Sequence, residues 1–300
     1  MFLRLQRLVR NEAAKRLFVA QSSLSGSIKA LEAELDIIIF ERTGNGVFLT
    51  DDGAEFVRYA TQLAKQNEFI LERYSTEKNS NKLYISTQHY DFIADIFGQM
   101  IREIKEDTYR FSLRETKTYE VIHEIQTAYS DIGILAIKDS DTGIMKRFLD
   151  KRGLLFTPVI KACPHVFVRM GHPVAENKSL EYDALKDYPY VSYEQGEHSV
   201  SFFTEEIMNG FSKRHIEISD RATLMNVLLN TDCYTIGTGI MPSALNNGNI
   251  VSIPLVSDEF YIIGYILRKD GKMSALAEKF IELLIAETKR YGQQDLKSGM

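Results

Sequence analysis

Between Gln21 and Lys29 the chain sets short hydrogen-bonding side chains at close intervals: Gln21, Ser22, Ser23, Ser25 and Ser27, followed by Lys29. Groups of this kind suit base-pair edges and the phosphates beside them. Gln can bond an adenine at two points, Ser can reach a base or a phosphate, and Lys neutralises phosphate charge. Arg42 offers a further phosphate contact, and Asn45, inside Gly44-Asn45-Gly46, stands in a tight turn able to lie near a nucleic-acid backbone or minor groove. Other chemistry is poorly provided for. His89, His123, His165, His172, His198 and His215 are scattered, with no i,i+4 pair on a helix and no Glu set between two of them. No Gly-x-Ser-x-Gly elbow occurs, and Gly237-Thr238-Gly239 lacks the next glycine of a dinucleotide loop. Cys163 and Cys233 have no metal-ligand neighbours at useful spacing and read as buried, reduced thiols. The chain is therefore expected to hold no metal and no cofactor, to carry no catalytic residue, and not to be an enzyme.

The elements that must position these groups follow from periodicity. Asn11 to Phe18 is a run of mostly good helix formers, broken at Val19-Ala20. Leu24, Ile28, Leu31 and Leu35 then recur at 4-3-4 spacing, which makes Gln21 to Leu35 a helix with its polar groups on the opposite face. Ile37 to Arg42 and Val47 to Thr50 read as two strands around the glycine turn. From Asp51 the pattern is helical again. Phe56, Ala60, Leu63, Asn67, Ile70 and Tyr74 repeat at 4-3-4-3-4, the seam of a two-helix coiled coil with one polar residue inside it. The polar stretch Ser75 to Lys82 follows as a hinge.

Beyond the hinge, strands and helices alternate, which argues for α/β sheets. Strands are expected at Leu83 to Ser86, Phe111 to Glu115, Ile132 to Ile137, Leu155 to Ile160, Val166 to Arg169, Tyr190 to Tyr193, Ile216 to Ser219, Tyr234 to Gly237, Ile250 to Ile253 and Phe260 to Leu267. Helices are expected at Ile93 to Ile104, Tyr119 to Tyr129 and Ser274 to Tyr291. Apolar content of 44% and charged content of 26% place the chain in the ordinary globular class. Its net charge of −5 argues against a general polyanion binder. Residues 1 to 50, however, hold seven Lys/Arg against five Asp/Glu, a slightly basic head (+2) that leaves −7 for the remainder. No membrane-length apolar run and no secretory leader is recognisable, so a cytoplasmic location without membrane contact is expected.

A resemblance now bears on the whole chain. Ala13-Ala14-Lys15-Arg16-Leu17, Val19-Ala20-Gln21-Ser22-Ser23-Leu24-Ser25, Ile28-Lys29-Ala30-Leu31-Glu32, Leu35, Phe40-Glu41-Arg42-Thr43 and Leu49-Thr50-Asp51-Asp52-Gly53 resemble, in type and spacing, the N-terminal module of LysR-type transcriptional regulators. The resemblance implies a winged helix-turn-helix DNA-binding domain over 1-53 and a linker and dimerisation helix with hinge over 54-81. It also implies an α/β effector-binding domain over 82-292, similar to the two-lobed type II periplasmic binding proteins. Lobe one would be 82-158 plus 258-292, and lobe two 159-257. Met1 to Arg10 does not match the family's first helix, which is expected to be atypical or shortened. A solute-binding module with impaired DNA binding is accordingly the competing expectation.

In such a two-lobed domain, ligands sit where strand ends and helix N-termini face the interlobe cleft. Ser86, Thr87, Gln88 and His89 follow the first strand, and Thr116, Lys117 and Thr118 the second. Tyr193 ends a strand of lobe two, and Gly237 and Thr238 lie in a glycine-bounded turn. These hydroxyl-rich, weakly charged loops suit a small carboxylate or an amino-acid derivative. The stretches Gln88 to Phe92 and Glu115 to Tyr119 are also similar to regulators of methionine and cysteine supply in Gram-positive bacteria, which points to a sulfur-metabolism effector. Expected partners are double-stranded DNA carrying an imperfect palindromic operator, a small effector, and the chain itself as a dimer or tetramer.

Overall fold

The computed structural model describes residues 20–43, 46–73, 81–196, 205, 212–241 and 248–298. The chain divides into two compact units, Met1–Lys78 and Asn79–Met300. The expected altered first helix, Asn45 and Tyr74 lie outside the described residues, and so does the side chain of Arg42.

In the first unit, α1 (Gln21–Leu35) starts directly after Ala20, whose carbonyl accepts the Leu24 amide at 3.0 Å. It stops at Asp36, which adopts a left-handed conformation (φ 52, ψ 39) that short polar side chains tolerate. The hairpin β1 (Phe40–Thr43) and β2 (Gly46–Leu49) is antiparallel. It begins three residues later than the β-rich run Ile37-Ile38-Ile39 suggests. The Glu32 carboxylate takes the amides of Ile39 (2.8 Å) and Phe40 (3.0 Å), while the Ile38 carbonyl accepts the Thr50 hydroxyl. The Ile39 amide and the Ile38 carbonyl are thereby committed to Glu32 of α1 and to Thr50, so the ladder does not extend back through Ile37-Ile38-Ile39. Gly53 is needed there, since a Cβ at that position would lie 2.0 Å from the Ile39 carbonyl oxygen. The Thr50 hydroxyl caps α2 (Asp51–Arg73) by accepting the Gly53 amide at 2.9 Å, with Asp51 and Asp52 in the first turn.

The second unit begins with a five-stranded sheet, built from β3 (Asn81–Thr87), β4 (Tyr109–Glu115), β5 (Ile132–Lys138), β6 (Leu154–Ala162) and β12 (Tyr261–Arg268), in the order β4-β3-β5-β12-β6. β3 runs parallel to β4 and β5, and β12 antiparallel to β5 and β6. Successive side chains of β5 enter different cores, which explains its unbroken apolar sequence. Ile132, Ile134 and Ala136 pack with α3 (Asp91–Glu103) and α7 (Ala275–Ser298). Leu135 and Ile137 pack with α4 (Thr118–Gln126) and α5 (Thr142–Asp150).

The chain then enters a second lobe. Its sheet comprises β7 (His165–Arg169), β10 (Thr235–Gly237) and β11 (Ile250–Pro254), in the order β10-β7-β11. β8 (Tyr190–Tyr193) and β9 (His215–Ile218) form a parallel pair, and α6 (Arg221–Asn230) packs Leu224 and Leu228 against Phe167 and Val191. The return through β12 completes the first sheet. Cys233 is buried, but Cys163, at the crossover between lobes, is half-exposed rather than buried as expected, and neither joins a disulfide. Among the described residues no helix is long and apolar enough to cross a membrane.

Candidate functional site

α1 presents Gln21, Ser22, Ser23, Ser27 and Lys29 to solvent, with Ser25 half-buried. The hydroxyl of Ser27 donates to the Ser23 carbonyl at 3.1 Å, so it is partly used within the helix. The other polar groups stand on one end and face of a helix whose apolar residues Leu24, Ile28 and Leu31 are half-buried. Helix α2 carries Phe56 and Ala60 half-buried, while Leu63 (67%), Asn67 and Ile70 (52%) are exposed. Apolar side chains at that spacing on a free helix face invite a partner helix.

The second site forms where β3 and β4 end, beside the point between β3 and β5 at which the chain order of the sheet reverses. Not every hydroxyl there points to the cleft. The Ser86 hydroxyl donates to the Glu124 carboxylate and lies 2.6 Å from the Ser130 hydroxyl, inside lobe one. Burial raises the Glu124 pKa, against the opposing effects of the Ser86 hydrogen bond and of Arg114, which lies 2.9 Å away. Thr87 is fully buried, and its carbonyl accepts the Thr116 amide at 2.8 Å. Gln88, also fully buried, joins three elements. Its amide oxygen accepts the Ala136 amide (2.6 Å) and the Tyr90 hydroxyl (2.7 Å), and its Nε2 donates to the Thr118 hydroxyl (2.5 Å). Ser86 and Gln88 are thus engaged inside lobe one, while the Thr87 hydroxyl is buried without a hydrogen-bond partner among the described residues; Ser86, Thr87, Gln88, Thr116, Lys117 and Thr118 border the cavity described below without lining it.

His89 does reach the cavity. Its ring stacks on Tyr193 of lobe two, with centroids 4.0 Å apart and planes 12° from parallel. Its Nδ1 lies 3.0 Å from one Glu205 carboxylate oxygen, and its backbone amide donates to the other at 3.2 Å. Burial of the ring opposes its charging, but the hydrogen bond and charge of Glu205, with help from Glu115, outweigh that and raise its pKa. Beside this pair, Arg221 of lobe two clasps two carboxylates of lobe one, Asp91 at 2.5 Å and Glu115 at 2.8 Å. The two carboxylates hold the guanidinium pKa above its ordinary value despite burial. Lys117 pairs with Glu194 across the same gap at 2.9 Å.

Between these contacts lies a small open cavity of about 60 Å³. His89, Asp91, Tyr193 and Glu205 supply its polar wall, and Leu224, Met225 and Leu228 of α6 part of its apolar wall. Gly237 and Thr238 line it too. Gly239 follows at φ +77, where a Cβ would lie 2.4 Å from the His165 ring, so the turn must be glycine. Among the described residues no group of His, Cys, Asp and Glu could hold a metal ion.

Sequence reasoning missed Asp91, Glu205 and Arg221 as site residues. Arg221 carried a signal. It opens a helix whose cap, Asp220, accepts the Thr223 amide at 2.9 Å, and a cation at a helix N-terminus is disfavoured unless partners hold it. Nothing around Glu205 marks it as a partner for a residue 116 positions earlier.

A two-lobed α/β domain with a polar and apolar cleft, joined in one chain to a helix-and-hairpin head with a hydrogen-bonding face, is the plan of a ligand-responsive DNA-binding protein. The comparisons with known proteins agree. Residues 10–54 match the bacterial regulatory helix-turn-helix protein model of the lysR family, and residues 108–289 match the LysR substrate binding domain. The chain belongs to the LysR family of transcription regulators, with an N-terminal helix-turn-helix and a C-terminal effector-binding domain. The HTH-type regulator YbhD of Escherichia coli (strain K12) is 25% identical over 288 residues, 92% of this chain and 86% of that protein. Among solved structures, the LysR family regulator CbnR superposes with TM-score 0.59 at 16% identity, over 90% of this chain and 91% of that one. CbnR complexed with its target DNA gives 0.58 at 15% identity, over 94% and 96%.

Proposed function

We infer that the protein is a cytoplasmic, homo-oligomeric regulator that binds an imperfect palindromic operator and alters its grip on DNA when a small effector enters the cleft. The observation that carries this reading is the cleft itself. Among the described residues, the ion pairs that close it and the stacking of His89 on Tyr193 join lobe one (His89, Asp91, Glu115, Lys117) to lobe two (Tyr193, Glu194, Glu205, Arg221). A ligand that touches both sides has different contacts in open and closed arrangements, and only such a difference can shift a conformational equilibrium. The likeness of Gln88 to Phe92 and Glu115 to Tyr119 to regulators of methionine and cysteine supply supports an amino-acid or sulfur-metabolism derivative as that effector.

On DNA, Gln21, Ser22, Ser23 and Ser25 would read base edges or position the helix, with Ser27 beside them. Lys29, Arg42 and Asn45 would serve the phosphates and the neighbouring groove. Exposed Leu63 and Ile70 support self-association through α2, and a two-fold dimer presents two reading heads. Selection from a random duplex library with the full chain tests the reading. It should enrich two half-sites related by an imperfect two-fold, and enrichment of no sequence would refute it.

A further inference from the structure

Away from the cleft, lobe one carries a concentration of cations. β3, β5 and β6 start at one end of the five-stranded sheet, and β12, antiparallel to β5 and β6, ends there. This end is opposite the cleft, and the chain enters β3 there, at Asn81. α5 finishes at the same end, with Lys146, Arg147 and Lys151 exposed and Arg152 half-buried. The end of β12 and the turn after it add Arg268, half-buried, and the exposed Lys269 and Lys272. The two segments meet: the Lys269 amide donates to the Gly153 carbonyl at 2.9 Å, and its ammonium pairs with Asp150 at 2.7 Å.

In residues 146–152 and 268–272 the carboxylates are Asp150 and Asp270. The cluster therefore carries +5 in a chain of −5, which leaves −10 for the remainder. Asp139 and Asp141 stand at the other end of α5, and Glu278, the next carboxylate along the chain, opens α7 on the opposite face of the sheet. Glu124 of α4 is buried and paired with Arg114.

The cations are crowded and largely unspent. Arg147 and Lys151 are four residues apart, a spacing at which like charges on a helix repel. The helix dipole favours cations at the end of α5, but it does not account for the three that β12 and its turn add. Among the described residues, the side chains of Lys146, Arg147, Lys151 and Lys272 have no hydrogen bond or ion pair. Arg152 and Arg268 are held in place instead. The Arg152 guanidinium lies 3.5 Å over the Phe148 ring and donates to the Phe148 carbonyl at 3.3 Å, and Arg268 donates to the Ile125 carbonyl at 3.3 Å. Each guanidinium has five N–H donors, so donors remain for a partner.

Cations segregated in this way, on a protein that is otherwise acidic, attract a polyanion to one place. For a member of this family the polyanion at hand is duplex DNA. Once the helix-turn-helix has bound, the neighbouring duplex is at high local concentration for the rest of the same chain. We propose that this basic end of lobe one binds the sugar-phosphate backbone of the duplex flanking the operator, adding affinity without reading sequence.

The test uses the full chain with Lys146→Gln, Arg147→Gln, Lys151→Gln and Lys272→Gln combined. A control with the same loss of charge carries Lys105→Gln, Lys178→Gln, Lys186→Gln and Lys213→Gln, all at exposed positions. Circular dichroism checks that both fold. Fluorescence anisotropy across a salt series measures binding to the operator that selection enriches, once with long flanks and once trimmed to its two half-sites, and to a shuffled long duplex. On both long duplexes the patch variant should lower the salt slope by about 3–4 and weaken binding about tenfold or more at about 0.15 M salt. Its preference for operator over shuffled duplex should stay that of wild type. On the trimmed operator it should bind as wild type does, and the control should match wild type throughout. An unchanged slope in the patch variant, an equal change in the control, or an equal loss on the trimmed operator would overturn the proposal. Unchanged DNA binding with reduced transcription by purified RNA polymerase would assign the patch to a protein partner and overturn it too. A wild type that binds no duplex would overturn this proposal together with the DNA-binding reading.

Discussion

Replacing Arg221 with Met should loosen the effector-binding unit by about 2 kcal/mol. Arg221 makes two ion pairs, at 2.5 Å to Asp91 and 2.8 Å to Glu115. Their side chains are 25%, 13% and 21% exposed, between the fully exposed and fully buried limits. Exposed pairs contribute about 0–1 kcal/mol, and breaking a fully buried pair costs about 3–5 kcal/mol because a charge is left stranded. Met keeps most of the stem, so the loss is mainly electrostatic. It leaves Asp91, Glu115 and Glu205 without that guanidinium, while the nearby Lys117 is held by Glu194. For a unit of this size, about 2 kcal/mol lowers the melting temperature by about 4–8 °C. Urea unfolding followed by far-ultraviolet circular dichroism measures it, and Asp91→Asn supplies a second arm. Alone, Asp91→Asn should destabilise; on the Arg221→Met background it should restore about 1 kcal/mol by relieving carboxylate repulsion. A loss below about 0.5 kcal/mol, or no restoration in the double variant, would refute the electrostatic account of the latch.

The remaining expectations concern His89, Gln88 and the reading helix. The folded pKa of His89 lies above the 6.5 of a free imidazole, so its contribution to stability is fully present below that pH and is lost as pH rises through the folded value. The melting-temperature difference between wild type and His89→Gln should shrink accordingly from about pH 5.5 to about pH 8.5, and a difference that grows would contradict the assigned partner Glu205. Gln88→Ala removes three hydrogen bonds and strands the Ala136 amide, so calorimetry should show a loss of about 3–5 kcal/mol whether or not ligand is present. Near-neutral stability would mean that Gln88 is held for a ligand instead. Gln21→Ala should cost about 1–3 kcal/mol on the preferred operator and little on other DNA. Lys29→Ala should weaken all sequences alike and lower the salt slope by about 1; matching losses for the two would contradict their assigned roles.

Local pattern carried much of this structure. The apolar run at β5 and the 4-3-4 spacing of α1 each name one element, because burial on both faces or on one stripe leaves few other readings. The Ile37-Ile38-Ile39 run misleads, since β-branched residues favour strands while here Glu32 and Thr50 claim the backbone. At the cleft, loops after strands were legible, and His89, Tyr193, Gly237 and Thr238 do line it. The chemistry was less so. A hydroxyl that ties a sheet together, such as Thr118 to Gln88, looks in sequence like one that awaits a ligand. Arg221 and Asp91 meet across 130 positions, a pairing that only the tertiary fold creates.

The central claim is that this chain reads a specific DNA sequence. Fluorescence-anisotropy titration of the full chain on the DNA upstream of its own coding region, against a shuffled duplex and across a salt series, tests it most directly. The expected result is a preference of about 10³-fold or more for the upstream DNA, with affinity falling linearly as the logarithm of salt rises. Equal affinity for both duplexes at every salt concentration, or no binding to either, would contradict it.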